Sequence, residues 1–158
     1  MRLRRTLEMG LLRRMGAMGE GYVALGDSMS IDEYTGYRGG GAASLLYQNL
    51  PRWQEFEGKD LKTLFPHWKF LLLAADGATS AHVLEVQLPS LAASGVYPRL
   101  VTLTCGGNDL LTLYGASLGE GLSAAQEFAQ RLERILARLR GLATPDALIL
   151  VGNIYDPT

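Results

Sequence analysis

Cysteine and histidine are scarce in this chain of 158 residues: one cysteine, Cys105, and two histidines, His67 and His82. A single cysteine excludes an intrachain disulfide and a multi-cysteine metal site. Excess charge of one sign is also missing. The formal net charge is −1 and the isoelectric point about 6.1, so nothing global points to nucleic acid or to an anionic membrane surface. No apolar run approaches the roughly 18 residues that span a bilayer, so stable membrane insertion is not expected. There is no Gly-x-x-x-x-Gly-Lys-Ser/Thr loop, and no strand leads directly into the glycine-bearing stretch Gly115-Ala116-Ser117-Leu118-Gly119. A specific phosphate, nucleotide or flavin site is therefore not expected, and neither is a metal or other cofactor. Internal repeats, low-complexity tracts and an inter-domain linker are absent as well.

What is present is the composition of a globular domain, 47% hydrophobic and 20% charged. Residues 1–18 form a basic leader. Arg2, Arg4, Arg5, Arg13 and Arg14 face a single acid, Glu8. Without an apolar core this leader is a poor secretory signal, which favours a cytoplasmic location. Leu3, Leu7, Leu11 and Leu12 fall near one helical face, so the leader reads either as an amphipathic helix or as a disordered or mis-assigned start. Residues 19–158 read as one domain.

Strands and helices alternate along that domain. Tyr22–Leu25, Phe70–Ala74, Leu100–Thr104 and Ala147–Val151 are continuous apolar runs, the pattern of parallel strands buried on both faces. Helices are predicted over Ala42–Asn49, from Thr79 to about Leu88, and from about Ser123 to a stop at Gly141. The expected fold is α/β, a three-layer parallel sheet of flavodoxin-like type flanked by helices. In such sheets, sites lie beyond the carboxyl ends of the strands.

Three polar, glycine-bearing loops stand at those ends: Gly26-Asp27-Ser28, Asp76-Gly77-Ala78-Thr79 and Gly106-Gly107-Asn108-Asp109. Taken singly, each is an ordinary turn. Together they carry the parts of an acyl-transfer site. Ser28, at the end of the first strand, supplies a hydroxyl in the place where α/β enzymes expose a nucleophile. The backbone N–H groups of Ser28 and Gly77 and the side-chain amide of Asn108 are three donors for the negative charge that develops on an attacked carbonyl. Gly77 lets its backbone approach a ligand closely, and Asn108 donates without titrating. Asp27 and Asp109 read as hydrogen-bonding residues that hold their loops, and Cys105 as a small hydrophobe in the third strand. His82 reads as a solvated helix residue and His67, beside Trp68, as loop or packing. Tyr34, Tyr37, Trp53 and Tyr114 either line a pocket or simply pack.

These three blocks, with the helix segment Val83-Leu84-Glu85-Val86-Gln87-Leu88-Pro89 and the terminal Gly152-Asn153-Ile154-Tyr155-Asp156-Pro157-Thr158, resemble the SGNH/GDSL hydrolase family over roughly residues 20 to 158. The resemblance implies a lipase/esterase-like serine hydrolase. Ser28 would be the nucleophile, Gly77 and Asn108 oxyanion donors, and the substrate a small-molecule ester: an acyl ester, an acylated sugar or a lipid. It also implies a histidine in an Asp-x-x-His block near the C-terminus, and neither histidine here has an aspartate three residues earlier. Leu64 precedes His67 and Thr79 precedes His82. Three expectations follow: a fragment truncated after the fourth strand, whose catalytic block lies beyond Thr158; a site completed by a neighbouring chain; or a non-catalytic relative that only binds ligand. A strand left unpaired at the sheet edge would then be an association hazard. A non-catalytic flavodoxin-like ligand-binding or structural domain is the reading from another class.

Overall fold

The computed structural model describes residues 19–50 and 53–154. The leader, and the last four residues of the terminal segment, lie outside them. Four strands, β1 (Gly19–Gly26), β2 (Lys69–Leu72), β3 (Val96–Thr104) and β4 (Leu148–Val151), form one parallel sheet in the order β2-β1-β3-β4. This is the doubly wound, flavodoxin-like order. The helices are α1 (Ala42–Tyr47), α2 (Leu61–Leu64), α3, α4 (Gly107–Leu111) and α5 (Leu118–Leu142). Helix α3 runs without a break through Ser80–His82, a π turn over Val83–Gln87, and Leu88–Ala93.

Side chains alternate across the sheet and build two cores. On one face Val23, Leu25, Val101 and Leu103 pack with Val83, Leu84, Leu88 and Leu91 of α3 and with Ile135 and Leu139 of α5. On the other, Tyr22, Ala24 and Leu100 meet Ala43 of α1 and Leu61 of α2. Tyr22, Phe70 and Tyr47 stack in series there. Three layers result, as the apolar strands require. The second face is less fully covered over β4: Leu148 and Leu150 are 56% and 47% exposed, while Ile149 points into the first core.

Element boundaries differ from the sequence expectation at identifiable places. Strand β3 begins at Val96, four residues before Leu100, because a bulge opposite Gly21 and Tyr22 takes up Arg99 and lets Pro98 sit in the ladder. Helix α1 ends at Tyr47 rather than Asn49. Helix α5 begins at Leu118, where Ser117 and Glu120 form a capping box. It also runs past Gly141 to Leu142. Gly141 is an ordinary helical residue, and the helix stops where Thr144 turns its N–H to the Pro98 carbonyl at 3.0 Å. Residues 73 and 74 leave the β2 ladder, although their N–H groups both reach the Ala24 carbonyl.

Candidate active site

All three candidate loops lie at the carboxyl ends of β1, β2 and β3, and hydrogen bonds tie each to its neighbours. Strand β1 ends at Gly26, whose φ is +117°. Asp27 follows in extended conformation. Its N–H reaches the Thr104 carbonyl at 2.9 Å, and its buried carboxylate accepts from Met29 N–H at 3.1 Å, capping the short turn Ser28–Ser30. Half-buried Ser28 opens that turn, and Ser30 Oγ lies 3.0 Å from Thr104 Oγ1. The first loop is thereby fixed to the end of β3.

The second loop is fixed to both others. Ala75 N–H donates to the Gly26 carbonyl at 3.0 Å. Gly77, exposed, has φ +67° and open space around it. Thr79 caps α3, its Oγ1 accepting from His82 N–H. Asn108, in the first turn of α4, donates from Nδ2 to the Ala78 carbonyl at 2.9 Å, so it meets the residue that follows Gly77. Asp109 accepts from Ser80 N–H at 2.8 Å, from Ser80 Oγ, and from Arg131 Nη1 at 2.9 Å; Arg131 in turn binds Glu127 one helical turn away on α5. Asp27 and Asp109 thus spend their carboxylates on loop structure.

Other candidates fall into place around this ring. The Tyr34 hydroxyl bonds Asp76, and this bond, with the Asp76 charge, holds the phenol above its usual pKa. Tyr34 therefore belongs to the rim of the Gly77 loop. Burial works to raise the Asp32 pKa, but hydrogen bonds from Gly39, Ser44 and Gly41, with Arg38 nearby, leave it lowered. That carboxylate pins the triple-glycine turn, at 2.7 Å to Gly39 N–H and 2.8 Å to Gly41 N–H. Cys105 is buried just past β3. Burial, then the charges of Asp109 and Asp27, push its thiol up to about 12, so it stays protonated and is no rival nucleophile. His67 is exposed, and His82 sits in the first turn of α3. Among the described residues no imidazole hydrogen-bonds Ser28, and no group of three or more His, Cys, Asp or Glu side chains gathers as a metal site.

A groove of about 470 Å3 opens between α4 and α5, with Leu110, Leu113, Phe128 and Ile154 on its walls and Thr79, Asp109 and Arg131 also lining it; Ser28, Gly77 and Asn108 do not line it. A second groove of about 360 Å3, bearing Trp53 and Phe56, lies along α1, which ends beside Trp68 at the start of β2. Trp53 therefore lines a different groove from the one between α4 and α5, and exposed Tyr114 lines neither.

Against this geometry, the model of the GDSL-like lipase/acylhydrolase family matches residues 24–158, nearly the whole domain and all three loops. The chain belongs to that family. The fold agrees with that of solved structures. The chain is 24% identical to TesA, with a TM-score of 0.55, covering 87% of this chain and 62% of that one. It is 13% identical to the protein YXIM of Bacillus subtilis, TM-score 0.54, covering 84% and 32%. To LAE5, an alpha/beta hydrolase enzyme from the metagenome of Lake Arreo, it is 17% identical, TM-score 0.50, covering 84% and 59%. At these identities the likeness shows the shared fold. The chain spans less than two thirds of each of the three. No curated protein matches it significantly. No helix among the described residues is long and apolar enough to cross a membrane.

The sequence reading gave no role to Gln87, Ser80, Thr104 or Arg131. Gln87 was visible as a lone polar residue on the apolar face formed by Val83, Leu84, Leu88 and Leu91. The other three are polar residues in ordinary positions, and only the fold brings them together.

Proposed function

We propose that this chain acts on carboxylic esters by forming an acyl-enzyme on Ser28. Ser28 Oγ bonds to the ester carbonyl carbon and gives up its proton. The carbon–oxygen bond to the alcohol breaks, the alcohol leaves carrying a proton, and water later releases the acid. The Ser28 and Gly77 N–H groups and the Asn108 amide hold the negative charge on the carbonyl oxygen between these steps. One observation carries the reading: a closed ring of hydrogen bonds joins the Ser28, Gly77 and Asn108 loops at the ends of three adjacent strands. Asn108 Nδ2 presents two protons. The Ala78 carbonyl takes one and fixes the plane of the amide, and the other is left for substrate.

The groove between α4 and α5, which shares Gly106 and Asp109 with the Asn108 loop and Thr79 with the Gly77 loop, suits the acyl portion of an ester, whether from a simple acyl ester, an acylated sugar or a lipid. A base for the Ser28 proton is not among the groups hydrogen-bonded to it, so this chain is proposed to react slowly even with activated reagents and to turn over slowly through charge stabilisation alone. The test is a fluorophosphonate probe followed by peptide mass mapping. An adduct on Ser28, lost in Ser28→Ala, is expected. A folded protein with no adduct there, or with an adduct elsewhere that survives Ser28→Ala, overturns the reading.

We further propose that a second copy of the chain covers β4. Its outer edge is unpaired among the described residues, and Leu148 and Leu150 present apolar surface on one side of it. Light scattering on the full chain at micromolar concentration is expected to give a dimer or larger. The double variant Leu148→Lys, Leu150→Lys should give a monomer with the same circular dichroism. A wild-type chain that is monomeric and melts cooperatively removes this interface.

A further inference from the structure

The least expected feature of the fold is the π turn inside α3, and it carries a side chain directly to the nucleophile strand. Proline at position 89 has no N–H to give back to the preceding turn. The Leu88 N–H instead reaches across five residues to the Val83 carbonyl, and the helix widens. Arg138 of α5 takes the Leu84 carbonyl at 3.2 Å. Within the widened turn Gln87 is 2% exposed and faces the end of β1. Its Oε1 accepts the Gly26 N–H at 2.8 Å, and its Nε2 donates to the Gly26 carbonyl, also at 2.8 Å. A side-chain amide here does what a neighbouring strand would do, clasping both backbone groups of the last β1 residue. Ser28 is two residues on.

We propose that Gln87 is the positioning residue of the nucleophile: its amide, delivered by the π turn, fixes the Gly26 peptide and through it the orientation of the Ser28 turn. The same helix is capped by Thr79, two residues after Gly77. Helix α3 is therefore one rigid piece that sets the nucleophile loop at one point and the donor loop at another. Simple helix packing does not need this bond pair, since Val83, Leu84, Leu88 and Leu91 already bury the same face. The inference rests on the reading of Ser28 as nucleophile for its catalytic meaning, though not for its geometry.

The experiment compares wild type with Gln87→Met, which keeps shape and loses both bonds, and Gln87→Glu, which as a carboxylate keeps only the acceptor. Two readouts are taken: amide signals of residues 26–30 by NMR, and the rate of fluorophosphonate labelling at Ser28. In Gln87→Met, with β3 amides still protected, loss of protection at Gly26, shifted signals at Asp27–Ser30 and labelling slowed about 100-fold are expected, as for a misplacement of about 1 Å at a reacting group. In Gln87→Glu the ratio to wild type should rise as pH falls, because a neutral carboxylic acid can again donate to Gly26 and accept from it. Taking the ratio at each pH cancels the titration of native groups around the turn and helix, Asp27, His82, Glu85, Asp109 and Cys105 included, with Arg131 and Arg138 charged throughout. Unchanged signals at residues 27–30 in a folded Gln87→Met, or labelling at the wild-type rate, overturn the proposal. If wild type itself does not label, the nucleophile reading fails while the NMR signals still decide whether Gln87 sets the turn. If Gln87→Met does not fold, the pH dependence of Gln87→Glu decides instead: a flat ratio overturns the proposal.

Discussion

Asn108→Ala is expected to slow fluorophosphonate labelling of Ser28 by about 100- to 1000-fold, the usual loss when one pre-placed oxyanion donor is removed. The phosphonyl oxygen of the probe develops charge where the ester carbonyl oxygen would, so the probe reports on the same donors. The effect on stability should be far smaller. The Asn108 side chain makes one hydrogen bond to the protein, to the Ala78 carbonyl, and Asn108 is only partly buried. Losing it costs about 1 kcal/mol, roughly a 2–4 °C drop in Tm for a chain of this size. The disparity is the diagnostic. A purely structural asparagine would lose labelling only in proportion to unfolding. Asn108→Asp sharpens the comparison, because it preserves the shape of the side chain but replaces the donor NH2 group with a second acceptor oxygen and adds a negative charge. It should label no faster than Asn108→Ala. If Asn108→Ala labels within a factor of three of wild type while folded, Asn108 is a loop fastener and the charge on the oxygen is held elsewhere.

How much of this was legible in the sequence depends on which force set each feature. Strand cores were legible because burial on both faces leaves an unbroken apolar run, and Val23, Leu25, Val101 and Leu103 all occupy such runs. The start of β3 was not, because Tyr97-Pro98-Arg99 looks like a break; the bulge that absorbs Arg99 is a two-strand event with no signature in one strand. The start of α5 was hidden differently. Its first two turns are solvent-exposed, Leu118 at 81% and Leu122 at 59%, so the helical period of buried residues appears only from Phe128 onward. The capping pair Ser117 and Glu120 was there to be read. Gly141 misled because a glycine after a basic helical turn suggests a C-cap, yet its φ is not positive. For the candidate site, the placement of the Ser28, Gly77 and Asn108 loops at strand ends was legible because glycine-flanked polar residues follow the apolar runs. The fasteners were not: Gln87 to Gly26, Asp109 to Ser80 and Arg131, and Ser30 to Thr104 each bridge at least 22 positions in sequence.

Gly26→Ala is expected to be the most damaging single substitution at the site, with a loss above about 4 kcal/mol, the range reached only when a specific structural requirement is broken. Two independent penalties coincide there. At φ +117° a side chain is strained whatever the space available, and the new Cβ would stand 1.7 Å from the Thr104 carbonyl oxygen. That oxygen cannot yield, since it accepts the Asp27 N–H and belongs to the strand that Gly26 pairs with. Nor can Gly26 move away, with both its backbone groups clasped by Gln87 and its carbonyl also taken by Ala75. Relief therefore requires parting β1 from β3 at the very end that carries Ser28. Gly77→Ala is the control. Its φ is also positive, but nothing lies within 4 Å of the added carbon, leaving only conformational strain of about 1–2 kcal/mol. Thermal melts should thus separate the two, with Tm lowered by roughly 8–16 °C or more for Gly26→Ala and by a few degrees for Gly77→Ala. Equal losses would mean that strain alone governs both positions, and that the close approach of the two strands at Gly26 is not what fixes the Ser28 loop.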